Sequence, residues 1–182
     1  RLLIVAIDER TNSAEYFIVV TADPAGKQVQ ALALPRETTV SAGTQQYRLF
    51  ELYAASGKGI QAVQTSVSSL LQVPIDYYAT ITFRNIEQLV DGFENKLIFE
   101  VPQSIVYLDP VTSATLRLTP GRAVLTGSQT AALLRYNGWQ VGRRQKAEIG
   151  AQVVANLINQ YLVSYRSEQG YEDFTRIINL IN

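Results

Sequence analysis

Neither cysteine nor histidine occurs in the 182 residues of this chain. The first absence removes disulfides and thiol nucleophiles, the second removes imidazole acid/base relays, and together they remove nearly every zinc site. Chemistry, if the chain performs any, falls to carboxylates, guanidinium groups, amines, hydroxyls and phenols. An excess of one charge is also lacking: 16 Lys and Arg stand against 16 Asp and Glu. A broad nucleic-acid surface needs a surplus of cations against phosphates, so no nucleic-acid partner is expected and any anion site has to be local. No apolar run approaches the roughly 18 residues that a membrane-spanning helix takes. The absence of cysteine suits an oxidising exterior without requiring one. The chain opens at Arg1 with no initiator Met, which leads us to expect a processed or trimmed piece and leaves room for an upstream anchor.

What is present is the composition of a globular protein. Hydrophobic residues make up 47% and charged ones 18%, enough to bury one core, and the length fits a single domain over 1–182. "LLIVAI" (2–7) and "YFIVVTA" (16–22) are continuous apolar, β-branched runs of strand length. Runs without alternation suit interior strands covered on both faces. "DPAGK" supplies turn residues and "QVQALALP" resumes an extended pattern, so 16–34 reads as a hairpin. Helical spacing of Ile60, Val63, Val67, Leu70 and Leu71 predicts a helix over 59–72. "VPIDYYATITF" returns to strand, a short helix follows over 85–93 with Ile86, Leu89, Val90 and Phe93, and "KLIFEVP" is another strand. "YLDPVTSATLRLTPG" reads as a hairpin excursion at the rim. "LTGSQTAALLRY" opens a helix behind its cap candidates Thr126, Gly127 and Ser128. The last helix covers 143–166, with an apolar stripe from Ile149 to Tyr165. Strands and helices interleave throughout, and a sheet with helices on both faces is the economical arrangement.

Candidate chemistry gathers at element ends. Asp8 and Arg10 follow the first strand and Glu15 begins the second, where open α/β sheets bind ligands. Two carboxylates meeting there suit a hard cation such as Mg²⁺; as an alternative they are solvated turn residues. Arg36-Glu37, directly after "ALALP", is either a helix-opening ion pair or part of an anion grip. Arg135 ends an apolar helical stretch, and a charge beside a buried face needs a partner. Arg143 and Arg144 open the last helix, where they oppose the macrodipole unless an anion sits nearby; pairing with Glu148 one turn on is the other reading.

In order, these stretches resemble the LytR-CpsA-Psr family of bacterial envelope proteins over about residues 2–165. "LLIVAIDER" resembles the family's opening strand and Asp-x-Arg motif. "AEYFIVVTADPAGKQVQALALPRETTV" resembles its Ser-Asp-Thr strand, Asp-Pro turn and Pro-Arg-Asp-Thr motif. "LLQVPIDYYATITFRNIEQLVDGF" carries the most specific likeness, and "LTPGRAVLTGSQTAALLRY" with "VGRRQKAE" resembles the family's arginine-bearing helix and Gly-Arg segment. Departures from the pattern are Ser13, Glu15, Glu37, Phe50, Gln140 and Lys146.

The resemblance implies an α/β fold, a three-layer α-β-α sandwich around a central mixed sheet with a small hairpin excursion. It also implies a membrane-anchored, outward-facing phosphotransferase. Such an enzyme moves anionic glycopolymers, of wall teichoic acid or capsular polysaccharide type, from a polyprenyl-diphosphate carrier to peptidoglycan. Mg²⁺ would be held by Asp8 and Glu15, the phosphates by Arg10, Arg36, Arg135 and Arg143, and the lipid by an apolar pocket with arginines at its mouth. Asp8 and Arg36 would be catalytic, Asp8 as first candidate for general base. A domain that binds polyprenyl phosphate without turning it over is the alternative, and a generic hydrolase of phosphorylated small molecules a weaker third.

Overall fold

The computed structural model of the chain describes residues 1–23, 28–57, 59–92, 96–111, 113 and 115–162. Its elements are β1 (Leu2–Asp8), β2 (Ser13–Asp23), β3 (Gln28–Leu34), β4 (Thr39–Ala42), β5 (Gln45–Arg48), α1 (Leu49–Ala55), α2 (Ile60–Leu71), β6 (Tyr77–Thr82), α3 (Phe83–Gly92), β7 (Leu97–Val101), β8 (Ile105–Leu108), β9 (Thr115–Leu118), β10 (Gly121–Leu125), α4 (Gly127–Arg135) and α5 (Arg143–Leu162).

A four-stranded sheet in the order β3-β2-β1-β6 forms the middle layer. β1 runs antiparallel to β2 and parallel to β6, so the sheet is mixed, and β2 continues antiparallel into β3. The unbroken apolar runs are explained by cover on both faces. Leu3, Val5, Phe17 and Val19 pack under α1 and α2 in one cluster, while Ile4, Ala6, Ile18 and Val20 pack against α3, α4, α5 and β7 in the other. Phe17, Phe83 and Phe99 are almost wholly buried, and each such side chain contributes about 1.5–3 kcal/mol. The three-layer α-β-α arrangement is therefore the one expected, with β8–β9 as the hairpin excursion.

Two details of this packing aim the site. The β1/β2 register slips between Ala6 and Ile7: Ala6 faces Tyr16, whereas Ile7 faces Ala14. Glu15 is the extra residue of that bulge, and bulges re-aim side chains at strand ends. Gly150 lets α5 press onto β2, since a Cβ there would lie 2.1 Å from the Tyr16 ring. Lys146, one turn earlier on the same face of α5, is thereby brought over the bulge. α4 is set in a comparable way: the Gly127 N–H donates to Asp91 Oδ1 at 2.9 Å, and Thr126 and Gln129 form its capping box.

The segment after β3 differs from the sequence expectation. Arg36-Glu37 opens no helix; it lies in a turn closed by Thr38 N–H to Pro35 C=O at 2.8 Å. The β4–β5 hairpin and α1 follow, three elements absent from the sequence reading because the strands are four residues long and mostly polar. Leu70, assigned to the buried face of α2, is 44% exposed. α3 begins at Phe83 instead of residue 85, and Phe93 and Tyr165 lie outside the described residues. No helix among the described residues is long and apolar enough to cross a membrane.

Candidate functional site

The carboxyl ends of β1, β3 and β6 and the start of β2 lie at one edge of the sheet, as the strand directions require. A cavity of about 420 Å³ opens there, lined by all six residues to which the resemblance assigns metal or phosphate: Asp8, Arg10, Glu15, Arg36, Arg135 and Arg143. Thr11, Glu37, Arg48, Asn137 and Lys146 complete the polar wall, with Phe50, Phe83 and Ala147 as its apolar part. Six cationic side chains thus stand with three carboxylates in the lining, a local excess of positive charge in a chain that is neutral as a whole.

On one side, Arg135 is the centre. α4 delivers it in its last turn, where a cation complements the helix dipole. Its side chain is 2% exposed, and each guanidinium nitrogen meets a different acid: Nη1 lies 3.0 Å from Asp109, Nε 3.5 Å from Asp8 and Nη2 3.5 Å from Glu9. Asp109, at the turn of the excursion, is fully buried. Asp8 also accepts the Arg10 backbone N–H at 3.1 Å, while its Oδ2 lies 3.8 Å from Arg10 Nε, beyond hydrogen-bond range. The partner that a buried Arg135 needs is chiefly Asp109, which the sequence placed only within the hairpin excursion.

On the other side, Arg36 lies over the Phe50 ring at 4.3 Å and pairs with Glu15 through Nη1. Glu37 accepts from Arg143 at 2.9 Å and lies 3.8 Å from Arg36 Nε; its Oε2 is buried without a hydrogen-bond partner. The second oxygen of Glu15 is held by Lys146 Nζ at 2.9 Å, and Lys146 is held in turn by Asn137 Oδ1 at 2.8 Å. The two arginines at the start of α5 divide: Arg143 reaches the cavity, and Arg144 pairs with Glu148 at 2.9 Å on the surface. Between the two sides lies Tyr16, whose buried hydroxyl donates to Leu134 C=O at 2.6 Å. Burial, then Glu15 and Asp8, push its pKa well above the ordinary tyrosine value.

The donors fit Mg²⁺ unequally. This ion takes oxygen ligands and commonly uses one or two carboxylates with phosphate and water. Asp8, with Oδ2 outside any hydrogen bond to Arg10, suits such a ligand. Glu15, with an oxygen on each of two cations, does not as arranged. Among the described residues no three acidic, His or Cys groups are gathered to hold a metal.

Fold and cavity together define an α/β sandwich with an arginine-lined cavity at its strand ends. The chain belongs to the LytR_cpsA_psr family, whose model matches residues 2–165. It is 36% identical over 128 residues to a Bacillus subtilis (strain 168) protein named polyisoprenyl-teichoic acid--peptidoglycan teichoic acid transferase TagV, covering 67% of this chain and 32% of that one. It is 31% identical over 98 residues to a Halalkalibacterium halodurans protein named as the corresponding transferase TagU, covering 50% of this chain and 31% of that one. The chain spans about a third of the length of these curated relatives. Its fold matches that of a LytR-Csp2A-Psr enzyme from Actinomyces oris with a TM-score of 0.75 at 20% identity, over 99% of this chain and 68% of the other.

Proposed function

We propose that this domain grips the diphosphate of a polyprenyl-linked anionic glycopolymer and transfers the polymer to peptidoglycan at the outer face of the cell membrane. The convergence of six cations on one 420 Å³ cavity carries the reading, and the transferase names of the relatives agree with it. A cavity of this size takes a diphosphate and the adjoining units rather than a whole lipid chain. Beside it a groove of about 480 Å³ runs between β3 and α5, floored by Ala31, Ala33, Pro35, Ala151 and Ala155 and sharing Ala147 with the cavity. Its small apolar floor suits the prenyl chain leaving the grip.

In the step, an acceptor sugar hydroxyl attacks the phosphorus that bears the glycopolymer. A new P–O bond forms, the bond to the bridging oxygen breaks, and polyprenyl monophosphate leaves. Arg10, Arg36 and Arg143 neutralise charge on the phosphoryl oxygens, as such transfers require. Arg135, ringed by acids, holds Asp8 in place. Asp8 takes the hydroxyl proton, with Glu37 Oε2, buried and unpartnered, the second carboxylate able to do so. Mg²⁺ held at Asp8 would supply further neutralisation of the diphosphate.

The test is incubation with a polyprenyl-diphosphate-linked polymer and a peptidoglycan acceptor, followed by assay of polyprenyl monophosphate. Release that is lost on Arg36→Ala is the expected result. Binding without release at any Mg²⁺ concentration would leave the second reading, a non-catalytic lipid-phosphate module, which the occupied carboxylate oxygens of Glu15 favour.

A further inference from the structure

We infer that Lys146 is the built-in cation of this site: its ammonium occupies the Glu15 carboxylate where a divalent ion would otherwise find a second ligand. Glu15 then orients Arg36 and Lys146 toward the anion and does not hold metal.

Four observations converge on this. First, the two oxygens of Glu15 are divided between Arg36 and Lys146. Second, the pair is shielded: the Lys146 and Glu15 side chains are 14% and 12% exposed, so removing the ammonium would leave a poorly hydrated carboxylate. Third, the position is enforced by the fold. Gly150 permits the close seat of α5 on β2, the bulge turns Glu15 toward it, and Asn137 Oδ1 fixes the ammonium from the other side. Fourth, the Tyr16 ring lies 5.7 Å from Nζ, an electron-rich face beneath a cation.

An ammonium has three N–H donors. Among the described residues Lys146 directs one to Glu15 and one to Asn137, which leaves one for the cavity it lines. A divalent ion arriving at Glu15 has to displace a desolvated ion pair and shed its own tightly held water, whereas Asp8 keeps an oxygen available. Lys146 therefore supplies permanently, and without exchange, positive charge that a second metal-ligating carboxylate would recruit.

That this charge meets a phosphoryl group rests on the function proposed above; that it excludes metal from Glu15 does not, and the test separates the two. Mn²⁺ binding is followed by electron paramagnetic resonance on the folded domain and its variants, folding being checked by circular dichroism. Wild-type affinity should be unchanged by Glu15→Gln, while Lys146→Ala should bind Mn²⁺ about tenfold more tightly. Adding Glu15→Gln should cancel that gain, and Lys146→Arg, which keeps the cation and serves if the alanine variant fails to fold, should show none. A wild type whose Mn²⁺ affinity falls with Glu15→Gln, or a folded Lys146→Ala without gain, overturns the inference. Calorimetry with inorganic pyrophosphate in a chelator is the second arm. Binding by the wild type that weakens about tenfold in Lys146→Ala supports the phosphate contact. Pyrophosphate binding that is absent from every form, with and without Mn²⁺, overturns the diphosphate reading while the Mn²⁺ result still decides Lys146.

Discussion

Arg135 and Arg36 line the same cavity and carry the same group, yet their surroundings give them different work. Arg135 is 2% exposed, with a carboxylate facing each guanidinium nitrogen, one of them on the wholly buried Asp109. Arg36 is 23% exposed, stacked on Phe50, and shares its acids with Lys146 and Arg143. A guanidinium whose nitrogens are all satisfied in a dry setting is a strut for the acids around it. One that is partly hydrated and shares its partners can turn to an incoming anion at little cost. Burial and partner count, more than residue type, separate the two arginines, and on the function proposed above that difference makes one the scaffold and the other the ligand.

The sharpest way to break this contrast is Arg135→Ala. It takes the buried guanidinium away from the buried carboxylates Asp109 and Asp8, and the expected loss is about 3–5 kcal/mol in urea unfolding. An Arg135→Ala domain that keeps wild-type stability would remove the strut assignment. Arg36→Ala should act the other way round: at most about 1 kcal/mol of stability, since the group is partly exposed, but at least a tenfold loss of pyrophosphate affinity by calorimetry, the scale of one charge-assisted contact. Tyr16→Phe probes the boundary between the two sides. It should cost about 1 kcal/mol at neutral pH for the lost hydrogen bond to Leu134. The raised tyrosine pKa means that the folded state holds this proton more tightly than the unfolded chain. Stability from it is whole below the ordinary tyrosine value of 10.0, and is lost as pH rises through the folded value. The phenylalanine variant should therefore show a flatter alkaline limb in unfolding measured across pH. Arg144→Ala, which cuts only the exposed pair with Glu148, should change stability by less than about 0.5 kcal/mol and leave pyrophosphate binding unchanged.

Much of the architecture was legible residue by residue. The unbroken runs of β1 and β2 predicted a sheet covered on both faces, helical spacing located α2 and α5, and of the cap candidates Thr126, Gly127 and Ser128 it is Thr126 that caps α4. The segment 36–55 was not legible. β4 and β5 are four residues each and largely polar, and they carry no periodic signal strong enough to separate them from a loop. Among the site residues, Asp8, Arg10, Glu15, Arg36, Arg135 and Arg143 could be chosen because they stand at element ends in motifs of recognisable spacing. Glu9, Arg48, Asp109 and Asn137 could not, since each contributes through a position in space that local sequence does not announce.

By itself the sequence determined which strands are sandwiched, because a strand with no polar face cannot tolerate water on either side. It also determined that any chemistry falls to carboxylate, guanidinium, amine, hydroxyl and phenol groups, since Cys and His are absent. Only the tertiary structure decided what those groups do. The bulge at Glu15, the bare backbone at Gly150 and the reach of the excursion place Lys146 on Glu15 across 131 residues and Asp109 on Arg135 across 26. Electrostatic interactions depend on distance and solvation, and both are properties of the packed chain that no stretch of sequence carries alone.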